Sequence, residues 1–174
     1  SRGLGDVYKR QMEYSKKRTL YSGGYIQSSS KAIADLFFKE AFFDLTKKSS
    51  IHIFLPIISK KEIDTYIIFD RIKAEFPNLT IILSQSNFND CSLQLIKYAP
   101  NLPIEVSKYG IPEPIGGSLY EIENLDIILV PLLVIDKKGN RIGYGKGFYD
   151  RLLSKCSPKC LKVGLSIEEP IDEI

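Results

Sequence analysis

Apolar and polar residues recur along this chain in two rhythms, and the switches between them mark its elements. Within residues 31–45, Ile33, Leu36, Phe37, Ala41 and Leu45 fall near the spacing of one helical face, and Ser28, Ser29 and Ser30 stand ahead of them as caps. This predicts an amphipathic helix. Residues 65–76 repeat the helical spacing and stop at Pro77, while residues 51–55 form a short apolar run closed by Pro56, as a strand would. Residues 79–83 and 93–98 read as further strands. Residues 127–130, continued beyond Pro131 by 132–135, are almost uninterrupted apolar sequence, the pattern of a central strand buried on both faces. Residues 148–155 then predict a helix and 162–166 a last strand. Pro100, Pro103, Gly110, Pro112, Pro114, Gly116 and Gly117 mark a long irregular connection between elements. Strands alternating with helices predict an α/β fold: a single three-layer α/β/α domain with a mostly parallel sheet and ligands beyond the strand carboxyl ends.

A length of 174 residues and a hydrophobic content of 44% suit one globular domain with a sizeable core. The formal charge is +3, of which Arg2, Lys9 and Arg10 against Asp6 contribute +2. The only methionine is Met12, so residues 1–11 read as a non-native leader and residues 12–174, with a charge of +1, as the domain. That charge gives no global case for nucleic acid or an acidic membrane, and no basic stripe interleaved with aromatics supports an RNA-binding reading. Cys91, Cys156 and Cys160 are odd in number and lack CxxC spacing, which points to a reducing compartment. The cysteines set the expectation of a cytoplasmic protein, and since no run approaches a membrane span and the start lacks an apolar signal stretch, a soluble one.

The chemistry concentrates in residues 136–151. Gly143, Gly145 and Gly147 alternate around Lys146, with Arg141 before them and Asp150 just behind. Glycine lets a backbone approach an anion closely, and a helix starting near Lys146 would add its N-terminal dipole, so the loop predicts phosphate binding. Neither the GxxxxGK[ST] nor the GxGxxG spacing is present, which removes the generic nucleotide motifs. The residues from Asp136 to Asn140 read as a tight turn. Asp150 is either a helix-start charge or a magnesium ligand, and Tyr144, Phe148 and Tyr149 either core or faces for a heterocycle, Tyr144 foremost. His52 reads as a packed strand residue, and Lys16, Lys17 and Arg18 as a solvated charge run.

The run Asp136-Lys-Lys-Gly-Asn-Arg-Ile-Gly-Tyr-Gly-Lys-Gly-Phe-Tyr-Asp-Arg, preceded by Asp126-Ile-Ile-Leu-Val-Pro, resembles the signature of the 5-formyltetrahydrofolate cyclo-ligase (methenyltetrahydrofolate synthetase) family. Tyr109-Gly-Ile-Pro-Glu-Pro, and Phe54-Leu55 followed by Glu62-Ile-Asp-Thr, extend the resemblance over roughly residues 18–170. It implies an enzyme in which ATP phosphorylates the formyl oxygen and the neighbouring amine nitrogen attacks the activated carbon, giving 5,10-methenyltetrahydrofolate, ADP and phosphate. By the same resemblance Arg141, Ile142, Gly143, Tyr144, Gly145, Lys146, Gly147, Phe148 and Tyr149 would line the ATP site, with Arg141 and Lys146 acting in catalysis. Tyr144, Gly145, Lys146, Gly147 and Phe148 would also border the reduced folate together with Leu55 and Glu62, and Asp150 would hold Mg2+. Leu55 is equally a core position by its own pattern. The family's opening helix, with its lysine and arginine for ATP, has no counterpart in this sequence pattern, and the family's chains continue through a further histidine-aspartate segment. The chain is therefore expected to be trimmed at both ends, monomeric, and weak or inactive in turnover. The alternative is a non-catalytic nucleotide- or folate-binding module of the same fold.

Overall fold

The computed structural model describes residues 4–39 and 44–174. A six-stranded sheet forms its centre, in the order β10 (Leu161–Leu165), β7 (Ile127–Pro131), β1 (Ser50–His52), β2 (Thr80–Asn87), β3 (Ser92–Lys97), β6 (Ser118–Leu119). The four strands from β10 to β2 are parallel, and β3 and β6 run antiparallel to their neighbours. The fold is thus α/β with a mostly parallel sheet, as predicted.

Alternation along the strands decides which side each residue covers. Ile51, Ile81, Leu83, Ile127 and Leu129 pack with Ala34 and Phe37 of α2 (Gly23–Lys39) and Ile68, Phe69 and Ile72 of α3 (Tyr66–Glu75). Ile82, Ile128 and Val130 face the other way, onto Leu152 of α4 (Phe148–Lys155). Both faces are covered, which is why these strands read as continuous apolar runs. Asp126 ties the amino ends of β7 and β1 together, its Oδ2 accepting the Ser49 and Ser50 amides at 2.6 and 3.3 Å.

Several boundaries differ from the sequence reading. The helix α2 starts at Gly23, where the Ser22 hydroxyl accepts the Tyr25 amide at 3.1 Å. The three serines lie inside it: Ser30 Oγ donates to the Ile26 carbonyl at 2.7 Å and accepts the Asp64 amide at 2.8 Å. Leu36 is 58% exposed and off the buried face, Ala41 lies outside the described residues, and Leu45 begins a separate single turn capped by Asp44. The apolar run after Pro131 is not a continuation of β7. The chain leaves the sheet there and forms β8 (Val134–Ile135), which pairs with β9 (Arg141–Ile142) across the Asp136 turn. The long connection carries a small hairpin, β4 (Ile104–Val106) with β5 (Pro112–Pro114), whose buried Glu113 accepts the Ser86 amide at 2.8 Å.

The largest departure is at the N-terminus. Residues on both sides of Met12 form one helix, α1 (Leu4–Thr19), from which Gln11 Nε2 donates to the Gly143 carbonyl at 2.8 Å and Lys17 pairs with Glu168. Arg18, expected to be solvated, is 5% exposed. No described helix is long and apolar enough to cross a membrane.

Candidate active site

Beyond the carboxyl ends of β1, β2 and β7 lies a cavity of about 400 Å³. The irregular step after β1 places Leu55 against it, the far end of β2 contributes Ser84 and Ser86, and Pro131 closes β7. All the positions singled out from the sequence border this one space: Leu55, Glu62 and the whole of 141–150.

The loop between β9 and α4 forms one wall. Gly145 and Gly147 take φ values of +82° and +76°, which L side chains adopt only with strain. Gly143 does not; its place is tight for another reason, since an added Cβ would stand 3.0 Å from Arg141 Nη1. Gly147 is the N-cap of α4 and supplies no side chain to it, so the first amides of the helix keep their donors for an anion. Lys146 is exposed beside them. Arg141 Nη2 donates to Asp150 Oδ1 at 2.6 Å; the arginine side chain is 15% exposed and the aspartate 77%. Asp150 is therefore both a first-turn charge of α4 and a carboxylate at the cavity. Among the described residues, no three His, Cys, Asp or Glu side chains are grouped to hold a metal ion.

The opposite wall is a buried polar cluster. Glu62 is 7% exposed, and its Oε2 accepts the Ile57 amide at 2.7 Å. Burial raises its pKa above the usual carboxylate range; the Ile57 amide, the charges of Arg18 and Lys60, and the nearby Tyr144 hydroxyl oppose that rise. Arg18 Nη1 donates to Tyr144 Oη at 2.8 Å, and Nη2 to the Leu132 carbonyl at 2.8 Å. The Lys60 ammonium sits 4.2 Å from the Tyr144 ring centroid, so one face of that ring is already covered by a cation. Burial, with the Glu62 charge next, pushes the pKa values of Tyr144 and Tyr149 above the usual phenol value, and both remain neutral.

A family model described as the 5-formyltetrahydrofolate cyclo-ligase family matches residues 9–167. The chain belongs to the 5-formyltetrahydrofolate cyclo-ligase family. A Haemophilus influenzae 5-formyltetrahydrofolate cyclo-ligase is 39% identical over 79 residues, 44% of this chain. In that alignment the chain spans 42% of the relative's length. The solved Aquifex aeolicus 5,10-methenyltetrahydrofolate synthetase superposes with a TM-score of 0.71 at 26% identity, over 97% of this chain and 84% of that one. A Mycoplasma pneumoniae 5,10-methenyltetrahydrofolate synthetase shares the fold, with a TM-score of 0.70 at 19% identity over 91% and 84% of the two chains.

In this cyclo-ligase-family chain the cavity also holds residues that the sequence reading passed over. Phe88, at the tip of the β2–β3 hairpin, stacks on Tyr109 with centroids 3.7 Å apart and meets Phe148 edge-on at 5.1 Å. An aromatic within Asn-Phe-Asn-Asp, a polar turn, was the available signal. Gln11 and Val7 of α1 reach the cavity too, as does Lys60. Arg18 gave no signal, because a buried arginine inside a basic run leaves no trace in a hydropathy pattern. His52 is buried in β1 as a packed strand residue, 6.0 Å from the Tyr149 ring.

Proposed function

We propose that this chain carries the site of an ATP- and Mg2+-dependent 5-formyltetrahydrofolate cyclo-ligase that makes 5,10-methenyltetrahydrofolate, ADP and phosphate. The observation that supports the reading is that one cavity joins the glycine loop and the uncapped start of α4 to a buried carboxylate. On this reading the amides at the start of α4, with Lys146 and Arg141, hold the triphosphate oxygens and offset the charge that develops as phosphate moves. Glu62 accepts hydrogen bonds from the donor edge of the pterin, and Leu55, Tyr144 and Phe148 border it. The phosphoryl group passes to the formyl oxygen and ADP leaves. The neighbouring amine then attacks the formyl carbon and loses its proton, and the C–O bond breaks as phosphate departs.

Asp150 fits Mg2+ in the way this ion is commonly held beside nucleotides, by one carboxylate together with phosphates and water. Bound there, the ion would supply charge neutralisation on the phosphate oxygens. The protein acts as a monomer in the cytoplasm on this reading, in keeping with its free cysteines.

The test is the absorbance rise of methenyltetrahydrofolate from 5-formyltetrahydrofolate, ATP and magnesium. Lys146→Ala and Asp150→Asn should each lower the rate on the order of a hundredfold or more, and unchanged rates in both would sink the proposal. The Arg141–Asp150 pair, which engages the candidate metal ligand, favours a second reading as a non-catalytic nucleotide- or folate-binding module. Ligand-induced stabilisation without turnover would support it.

A further inference from the structure

We propose that Arg18 is a positioning residue for the glycine loop: it pins Tyr144 to the end of β7 and so holds residues 143–147 in the shape that receives phosphate. The loop needs such a hold. Gly145 and Gly147 both take positive φ, and glycine has more backbone freedom to lose than any other residue, so the segment does not keep its shape by torsional preference alone. Of the two side chains between Gly143 and Gly147, Lys146 is exposed and Tyr144 half-buried, which makes Tyr144 the one by which the loop is gripped. With Tyr144 fixed on one side and α4 beginning at Phe148 on the other, only residues 145–147 span the gap between two held ends.

The tyrosine is held at two points. Its hydroxyl oxygen accepts from Arg18 Nη1 at 2.8 Å, and the Lys60 ammonium lies 4.2 Å from its ring centroid. Lys60 is exposed, so its hold on the ring is the weaker of the two. Arg18 Nη2 donates to the Leu132 carbonyl at 2.8 Å, one residue past the Pro131 that ends β7. A guanidinium is planar and rigid, so bonds from two of its nitrogens fix its plane, and Tyr144 is tied through it to the exit of a central strand. Arg18 is 5% exposed and Leu132 2%, so water competes little for these bonds. The end of α1 that carries Arg18 is itself anchored, because Lys61 Nζ donates to the Thr19 and Tyr21 carbonyls at 2.7 and 2.5 Å. Gln11, two turns earlier, holds the Gly143 carbonyl, in the peptide before Tyr144, and leaves the tyrosine side chain to Arg18. Amides already in place bind an anion without having to be ordered by it, so loosening this peg costs affinity although no group that touches the anion is lost. The proposal rests on the nucleotide reading only for the identity of that anion.

The experiment has two arms. In the ligand-free protein, 15N relaxation of the Gly145 and Gly147 amides should give order parameters near the rigid value of about 0.85 in the starting chain, falling towards about 0.6 in Arg18→Met and in Tyr144→Phe. Tyr144→Phe keeps the ring beside Lys60 and removes only the acceptor for Arg18, so it decides this arm even if Arg18→Met does not fold. Amides already loose in the starting chain, or as ordered in Tyr144→Phe as in that chain, would overturn the proposal whatever the ligand. The second arm measures, by calorimetry, the binding of ATP with magnesium and of inorganic tripolyphosphate, a probe without a base. Arg18→Met should weaken both on the order of tenfold, Arg18→Lys less, and Arg18→Met combined with Tyr144→Phe should cost little more than Arg18→Met alone. Fully additive losses would show that Arg18 acts through the general docking of α1 and would overturn the proposal. If the starting chain binds neither probe while the loop loosens in Tyr144→Phe, the nucleotide reading fails and the peg stands.

Discussion

At Gly147 the backbone turns with φ at +76° and hands its last donors to α4 without a side-chain cap. An alanine there would place its Cβ 2.5 Å from Arg151 Nη1, the end of a flexible side chain that can move aside; the left-handed backbone cannot be relieved in the same way. Gly147→Ala should therefore lower stability by about 1 kcal/mol in urea unfolding, through backbone strain alone. Stabilisation of the folded protein by ATP should fall with it, because the strained turn displaces the amides at the head of the helix. A variant with full stability and full nucleotide response would remove the loop from the argument. This part of the site was legible in the sequence because glycine's requirement is local. Arg18 and Glu62 were not equally so: Glu62 stood out by resemblance, whereas Arg18 is buried by its partners Tyr144 and Leu132, more than 100 residues away.

Elements obey the same division. Those bounded by covalent punctuation were read closely: α3 ends before Pro77, α4 follows the glycine loop, and β7 ends at Pro131, where the missing N–H stops the ladder. The sequence pattern starts α2 too late because its serines resemble caps, although Ser30 is satisfied within the helix and by the Asp64 amide. The helix α1 escaped notice because it has no apolar face worth the name. Arg18 is its buried residue among those described, and polar links through Gln11, Lys17 and Arg18 fasten it. Elements held by few apolar contacts open at low free energy. In hydrogen exchange, α1 should lose protection well before β1, β2 and β7, and a ligand bound in the cavity that Val7 and Gln11 border should slow its exchange. Equal protection of α1 and the central strands would contradict this. Asp126 presents the opposite case, a single carboxylate joining two core strands. Asp126→Ala leaves the buried Ser50 amide without that acceptor and should cost roughly 1–3 kcal/mol in urea unfolding.

For the molecule as a whole, the covered sheet makes stability depend on pH through a residue buried inside it. His52 lies in β1 between Ile82 and Ile128 of its neighbours, fully buried, and neither ring nitrogen has a hydrogen-bond partner of good geometry. Burial pulls its pKa from 6.5 to about 4, and the Leu129 backbone beside the ring offsets only part of that. Between those two values the unfolded chain binds a proton that the folded chain refuses. Stability is thus complete above about pH 6.5 and is lost as pH falls towards 4; the loss from this one site between pH 7 and pH 5 is about 2 kcal/mol. Glu62 works in the other direction, because a raised carboxyl binds its proton longer in the folded state and favours folding as pH falls. Asp136, held down to about 2 first by its Asn140 hydrogen bond against the effect of burial, with the Ile174 and Lys138 amides assisting, matters only below the ordinary carboxylate range. A net slope in the starting chain therefore mixes opposing groups, and the decisive quantity is a difference between two chains that share Glu62 and Asp136. His52→Leu keeps an apolar side chain of similar size in the core and removes the titration. Urea unfolding at pH 5 and pH 7 should give the leucine variant a loss about 2 kcal/mol smaller than that of the starting chain, with no penalty at pH 7, where two unpartnered ring nitrogens have been removed from the interior. Parallel losses in the two chains would show that the folded protein opens a path for water to His52, and that the sheet is less tightly covered than its packing implies.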